Sequence, residues 1–232
     1  MTRLRPAPPE AVAAALAGLT GLGTFFTLAV GEGDGVWRPV AEAYAEGLPH
    51  LVAGCVARYG TPEHRVAASV VQLGHAARLW SPVLGCVLVH GVVPDLADLR
   101  QQAHGPALRL PAARGWYAPE GEDLVQTVYR LVMDEHLAVL AAGLRVKIAP
   151  GLLLGNAGSA LAGAAHVLLR ARPDLRGPLT HLAERLLDTA ALRGTGEFTG
   201  PDLAFRRRSC CLYYRVPGGE RCGDCSLERK LQ

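Results

Sequence analysis

The stretch GEDLVQTVYRLVMDEHLAVLAAGL, residues 121–144, gives the clearest indication of how this chain folds. Its apolar residues recur every three to four positions, which places them on one face of a helix. They are Leu124, Val128, Leu131, Val132 and Leu137. Most of the other positions carry charged, polar or small residues. The stretch therefore predicts an amphipathic α-helix.

Further helical segments lie on both sides of this stretch. TPEHRVAASVVQLGHAARLW, residues 61–80, predicts a helix with Thr61 as N-cap and Pro62 in the first turn. SPVLGCVLVHG, residues 81–91, predicts a new helix capped by Ser81, and PLTHLAERLLDTAAL, residues 178–192, predicts another. The connection at residues 104–123 is rich in glycine and proline, and its segment ALRLP predicts a short strand. The expected fold is mainly α, a helical body with one short non-helical connection.

Composition and charge exclude several classes of protein. The chain has 232 residues, half of them apolar, which excludes a disordered or fibrous protein. The formal net charge is only +3, so a general nucleic-acid binder is not expected. We therefore predict no nucleic-acid partner.

Two long apolar runs raise the question of a membrane. Residues 11–31 lack charge, but alanine, glycine and threonine dominate them and give a weak drive for insertion. Residues 151–169 contain Asn156, Ser159 and His166, and their small residues suit close helix packing in a core. We predict buried helices at both places, no membrane span and a cytoplasmic location, where free thiols and metal thiolates are common.

The composition changes near the C-terminus. Glycine and proline interrupt the helical pattern in RGTGEFTGPDLAFRRRS, residues 193–209, and the segment SCCLYYRVPGGERCGDCS follows at 209–226. We predict a helical body at 1–200, with a substrate-binding region, and a compact cysteine-rich tail at 201–232. The tail contains Cys210, Cys211, Cys222 and Cys225.

The spacing of these four cysteines leaves several kinds of site open. A CxxC turn brings two thiolates onto one metal, and the glycines at 218 and 219 allow the loop to return towards the adjacent pair. Four thiolates hold either a tetrahedral zinc ion or an iron–sulfur cluster. The adjacent pair favours the cluster, because two neighbouring residues bend awkwardly onto one ion. Disulfides or free thiols remain as a third interpretation. Cys55 and Cys86 lie in apolar surroundings and are predicted to be buried structural thiols.

The arrangement CC, ten residues, then CGDC at the end of a helical chain resembles the ferric-siderophore reductase (FhuF-like) family. Three segments of the body resemble that family in the same order: ARLWSPVLG at 77–85, GVVPDL at 91–96 and GNAGSAL at 155–161. Gly158 stands where the family would have an alanine. The resemblance covers the chain from about Leu79 onward, and the first seventy or so residues have no counterpart.

The resemblance implies a [2Fe–2S] cluster held by Cys210, Cys211, Cys222 and Cys225. It also implies one-electron reduction of Fe(III) inside an imported siderophore, often of the hydroxamate type. Hydroxamate oxygens are hard donors that prefer Fe(III), so one added electron loosens the metal. The electron would come from another protein, such as a ferredoxin or its reductase, because no Rossmann or flavin motif is visible.

Several other residues are candidates for docking the substrate or the electron donor. Arginines near the cysteines would favour the reduced cluster or dock an acidic carrier; those considered for docking are Arg206, Arg207, Arg208 and Arg215. Trp80 and Arg78 lie in a segment that resembles the family and are candidates for a siderophore pocket, with core packing as the alternative for Trp80. Two other functions compete with the reductase. They are a zinc-stabilised binding module without redox activity and an iron–sulfur sensor.

Overall fold

The computed structural model describes residues 4–227 and has the predicted mainly α architecture, with several short strands. The α-helices are α1 Pro9–Gly18, α2 Val40–Glu46, α3 Pro49–Tyr59, α4 His64–His90, α5 Gly121–Tyr129, α6 Ala138–Gly143, α7 Pro150–Ala171 and α8 Arg176–Leu187. Short 3-10 turns occur at Thr20–Leu22, Pro173–Leu175, Ala190–Leu192 and Tyr213–Arg215.

Helices α4 and α7 pack along each other and form the centre of the core. Gln72 of α4 donates to the Leu153 carbonyl of α7 at 3.3 Å, and Asn156 of α7 donates to the Ser69 carbonyl of α4 at 3.0 Å. The predicted break before Ser81 is wrong, because α4 continues through Pro82 as one helix of 27 residues. A proline inside a helix costs about 3 kcal/mol. The continuous burial of residues 79–87 offsets that cost.

The amphipathic stretch at 121–144 is helical, as predicted, but it is not α-helical throughout. Between α5 and α6, residues Arg130–Leu137 form a π-helical segment. Val128, Leu131, Val132 and Leu137 are buried as expected, and Leu124 is half-buried. The wider π turn also directs His136 into the interior. The sequence pattern, read with a period of 3.6, predicted neither the π segment nor the burial of His136.

Short strands form three small sheets beside the helices. They are β1 Ala29–Val30, β2 Trp37–Pro39, β3 Val92–Pro94, β4 Arg100–Gln102, β5 Leu108–Leu110, β6 Gly115–Tyr117, β7 Gly196–Thr199 and β8 Ala204–Arg207. One sheet has the order β1-β5-β4-β2, with β1 and β5 parallel, and the antiparallel pairs β3-β6 and β7-β8 form the others. Strand β5 confirms the strand predicted in ALRLP.

Helix α7 is long and apolar enough to cross a membrane by length and composition alone. In the described part of the chain, 67% of its most apolar window is buried inside the fold. Contacts with α4, α8 and β8 account for this burial. Core packing therefore explains the apolar character of α7, which is the role predicted for residues 151–169.

A buried polar cluster joins α2, α4 and the π segment. The hydroxyl of Tyr44 lies 2.7 Å from Nε2 of His75 and 3.2 Å from Nδ1 of His136, so it hydrogen-bonds with both rings. Burial lowers the pKa of His75 to about 3 and the pKa of His136 to about 4. Both imidazoles are therefore neutral in the folded protein at pH 7.

These two histidines predict a loss of stability in mild acid. In the unfolded chain their pKa is about 6.5, so between pH 6 and pH 4 the unfolded state binds protons that the folded state does not. The free energy of unfolding should fall by up to about 1.4 kcal/mol per histidine for each pH unit below 6. Urea denaturation followed by circular dichroism at pH 7, 6 and 5 measures this slope.

The exposed His181 supplies the matched control for this prediction. His181→Gln should keep the wild-type slope, whereas the double variant His75→Gln, His136→Gln should have a shallower one. Equal slopes in the double variant and in His181→Gln would show that the buried histidines do not cause the acid sensitivity.

Candidate metal centre

The hairpin of β7 and β8 leads into the cysteine segment. Strand β8 determines whether its arginines point towards solvent or into the interior. The predicted division at 200 and 201 falls in the turn of this hairpin, between Thr199 and Ala204. Successive residues of β8 alternate between solvent and interior. Phe205 and Arg207 therefore point inward, and Arg206 points outward.

The segment after β8 lies directly on α7. A side chain at position 155 would collide with the Ser209 hydroxyl and crowd the Arg207 guanidinium, so only glycine permits this approach. One helical position further, Oδ1 of Asn156 accepts a hydrogen bond of 2.6 Å from Nη2 of Arg207. Because Asn156 is fully buried, this contact fixes the tail against the core.

A chain of hydrogen bonds continues from Asn156 to the cysteines. Nδ2 of Asn156 donates to the carbonyl and the hydroxyl oxygens of Ser69, at 3.0 and 3.1 Å. The Ser69 hydroxyl in turn donates to the backbone carbonyl of Cys211, at 2.7 Å. Ser69 is completely buried on α4. The adjacent cysteine pair is therefore held by both central helices.

The four cysteines of the tail occupy two facing turns. The Sγ atoms of Cys211 and Cys222 lie 3.4 Å apart. Two thiolates on one tetrahedral metal, with metal–sulfur bonds of about 2.3 Å, lie about 3.8 Å from each other, so this spacing is close to that of ligands sharing a metal. Leu212, with a φ of 67°, turns the chain after the adjacent pair. The CxxC turn is closed by the amide of Cys225, which donates to the carbonyl of Cys222.

Burial, backbone amides and the neighbouring thiols shift the pKa values of the cysteine thiols. The hydrogen bond with Cys222 lowers the pKa of Cys211 to about 6, although burial opposes the shift. The same contact raises the pKa of Cys222, and burial and Asp224 act in the same direction. Burial raises the pKa of Cys210, while the amide of Leu212 donates to its Sγ and opposes the shift. Cys211 is therefore the thiol that ionises most easily, and the thiolate is the form that binds metals.

Three residues close in sequence to the cysteines have buried polar atoms without a hydrogen-bond partner. Nε and Nη1 of Arg207, Oγ of Ser209 and Oδ2 of Asp224 are buried and have no hydrogen-bond partner. Within residues 4–227, no three His, Cys, Asp or Glu side chains are grouped as ligands of a single metal ion. A buried guanidinium with two free donors near the thiols of Cys210 and Cys211 fits a bound group of negative charge, as an iron–sulfur centre with thiolate ligands is.

The comparison with protein families adds to this geometry. Residues 207–227 match the FhuF 2Fe-2S C-terminal domain, and this range begins at Arg207 and includes all four cysteines. The FhuF-like resemblance is confirmed. A [2Fe–2S] cluster is the cofactor of this segment. No curated protein matches the chain. The three FhuF-like segments predicted in the helical body lie outside the matched range.

Two of the residues predicted to dock a substrate or a donor are buried. Arg207 is 1% exposed and Trp80 is 0% exposed, so neither side chain can reach a partner at the surface. The docking role predicted for them is therefore corrected. Trp80 packs in the core with Leu79 and Val83, which was the alternative considered. Arg207 was predicted to dock a substrate or a donor at the surface, but the alternation of β8 turns it inward.

The other docking candidates are accessible, and their roles stay predictions. Arg206 forms an ion pair with Glu197, and Arg208 is exposed. Arg215 forms an ion pair of 2.7 Å with Glu63, which ties the tail to the start of α4. Arg78 is half-buried on α4, away from the FhuF-like tail in sequence, and lines a cleft.

Three residues of the site escaped the sequence analysis. Ser69 was not considered, and Asn156 was noted only as a polar residue of the apolar run 151–169, which forms part of the unbroken helix α7. Tyr59 packs edge-to-face on Tyr213 of the FhuF-like segment, with ring centroids 5.8 Å apart. An asparagine between small residues in an apolar helix is a usable signal for a buried polar contact. Its partners could not be read from the sequence. Cys55 and Cys86 are both buried, as predicted.

Proposed function

We propose that this protein is a cytoplasmic ferric-siderophore reductase that receives electrons from a ferredoxin or a ferredoxin reductase. The match of residues 207–227 to the FhuF 2Fe-2S domain is the observation that carries the proposal. One electron converts siderophore-bound Fe(III) to Fe(II), which hard oxygen donors such as hydroxamates hold less tightly. The chelator itself is left unchanged, and the iron becomes available for exchange.

The chain's own residues have separate tasks in this function. Cys210, Cys211, Cys222 and Cys225 would hold the cluster, and the cluster when bound supplies one-electron transfer. The amides of Leu212 and Leu227 each donate to a cysteine Sγ at 3.4 Å, which stabilises negative charge on sulfur. Arg207 places a buried positive charge near the thiols of Cys210 and Cys211.

Attachment of the tail to the core serves the same function. The contact from Asn156 through Ser69 to Cys211 holds one turn of cysteines. The ion pair of Arg215 with Glu63 and the edge-to-face contact of Tyr213 with Tyr59 hold the loop between the two turns. A fixed ligand geometry reduces the reorganisation that accompanies electron transfer.

Spectroscopy of the purified protein tests this proposal most directly. We expect anaerobically purified protein to be red-brown, with about two irons per chain and an EPR signal that appears only after reduction by dithionite. The reduced protein should then lose its electron to a ferric siderophore, which is seen as recovery of the oxidised visible spectrum.

Metal analysis separates the reductase from its competitors. A colourless protein with about one zinc per chain would exclude the reductase and leave a zinc-stabilised binding module. A protein with two irons that stays reduced in the presence of several ferric siderophores would point to an iron–sulfur sensor.

A further inference from the structure

A cleft between α3, α4 and the turn after β4 has the features of a ligand site outside the cysteine segment. Its volume is about 360 Å³, within the range of small-molecule pockets. We call it the basic cleft, and its polar lining consists of His50, Arg58, Tyr59, His75, Arg78 and His104. It borders a second, almost wholly apolar cleft of about 460 Å³, with which it shares Phe25, Val70 and Gly74.

The charge of the basic cleft is one-sided. The described residues that line it include two arginines and no aspartate or glutamate, and of its histidines His75 is neutral at pH 7, so the two arginines carry the charge. Glu46 interacts electrostatically with His50, but it forms an ion pair of 2.7 Å with Arg38. The cleft therefore offers positive charge without an internal carboxylate to neutralise it, which favours an anionic ligand.

Arg78 is the central cation of this site. Its Nη1 donates to the Gly74 carbonyl on the preceding turn at 3.0 Å, and its guanidinium lies 4.7 Å from the ring centroid of Phe25. No ion pair joins it to a carboxylate within the described chain, and burial lowers its pKa. A half-buried guanidinium held by one carbonyl and one ring has donors left for the oxygens of a ligand.

The basic cleft is connected to the cysteine segment through two aromatic rings. Tyr59 lines the cleft, and its ring contacts the ring of Tyr213 at 5.8 Å between centroids. Tyr213 lies in the loop between Cys211 and Cys222. A ligand in the cleft would therefore lie beside Tyr59, and Tyr59 contacts Tyr213 in the loop between two of the proposed cluster ligands.

We propose that the basic cleft binds the ferric substrate and selects a chelate of net negative charge, with carboxylate or hydroxycarboxylate groups that contact Arg78 and Arg58. This inference rests on the proposed function and specifies its substrate class. An iron(III) chelate with free carboxylates gains from the two guanidinium groups, whereas a cationic trihydroxamate chelate is repelled by them. The adjoining apolar cleft accommodates the hydrocarbon part of a larger chelator.

Binding of redox-inert gallium(III) chelates tests the cleft without any electron transfer. The holoprotein is titrated by calorimetry with gallium(III) citrate, which is anionic, and with gallium(III) desferrioxamine B, which is cationic. We expect saturable binding of the citrate chelate and at least about tenfold weaker binding of the desferrioxamine chelate. Arg78→Gln should weaken binding of the citrate chelate by about tenfold or more, and Arg78→Lys should recover part of the loss.

Two further variants complete the design. Arg58→Gln, at an exposed position of the same cleft, should weaken binding by about threefold, and it replaces Arg78→Gln as the test if that variant fails to fold. Arg130→Gln is the matched control, because Arg130 is exposed, pairs with Glu135 and does not line the cleft. Its affinity should equal that of the wild type.

Three results would overturn the inference: unchanged affinity in Arg78→Gln and Arg58→Gln, equal affinity for the cationic chelate, or equal affinity for citrate without gallium. The proposed reductase function fails separately. Gallium binding that depends on Arg78, together with no oxidation of the reduced protein by iron(III) citrate or ferric siderophores, keeps the binding site and excludes the reductase. Oxidation by a ferric siderophore without Arg78-dependent binding keeps the reductase and excludes the binding site.

Discussion

Replacement of Cys210 by serine is expected to remove the iron–sulfur cluster from the protein, and the same holds for Cys211, Cys222 and Cys225. Each variant loses one of four thiolates, and the serine hydroxyl is a harder and far less acidic ligand. We expect iron to fall from about two per chain to less than about one fifth of that, with loss of the visible bands. Iron analysis and absorption spectra of anaerobically purified variants measure the effect.

The two remaining cysteines supply matched controls for this experiment. Cys55→Ser and Cys86→Ser make the same chemical change at buried positions on α3 and α4. They should keep full iron content and lose only about 1–2 kcal/mol of stability from the buried hydroxyl. Full iron in Cys210→Ser, or loss of iron in Cys55→Ser, would contradict the assignment of the ligands.

The helical body could be predicted because its helices are long and their apolar periodicity is strong. Apart from β5, the strands of the small sheets could not be predicted, since strands of two to four residues contain too few alternations to give a pattern. In helix α4 a local signal was present, but tertiary packing overrode it. Its Pro82 predicts a break by local rules, but burial on both sides of the proline keeps the helix continuous.

Some features of the site could also be predicted from the local sequence, whereas others depend on how distant helices pack. The four cysteines are close in sequence, so their spacing favours a metal centre, with disulfides or free thiols as the remaining interpretation. The inward direction of Arg207 was available in the alternation of AFRR, had a strand been assigned there. The contact between Ser69 and Asn156 spans 87 residues and depends on how α4 packs on α7. No local pattern encodes such a pairing.

Arg207 is expected to have the largest effect on the reduction potential among the arginines of the tail. A four-thiolate cluster gains a negative charge on reduction, so a nearby buried cation stabilises the reduced form. At an effective dielectric constant of 20, any two unit charges on the order of 6 Å apart interact by about 3 kcal/mol, which for one electron is on the order of 100 mV. Arg207→Met should therefore lower the midpoint potential by roughly that amount, measured by a redox titration followed by EPR.

The neighbouring Arg206 supplies the matched control, which separates the effect of the buried charge from that of an exposed one. Arg206→Met makes the same change on the opposite face of β8, where solvent screens the charge and Glu197 pairs with it. Its potential should shift by less than about 20 mV. Arg207→Lys keeps the charge and should retain most of the wild-type potential, although Asn156 loses the planar donor that reaches its Oδ1. If Arg206→Met and Arg207→Met shift the potential equally, the general positive charge of the tail sets the potential, and the hydrogen bond from Arg207 to Asn156 serves only to hold the FhuF-like segment on α7.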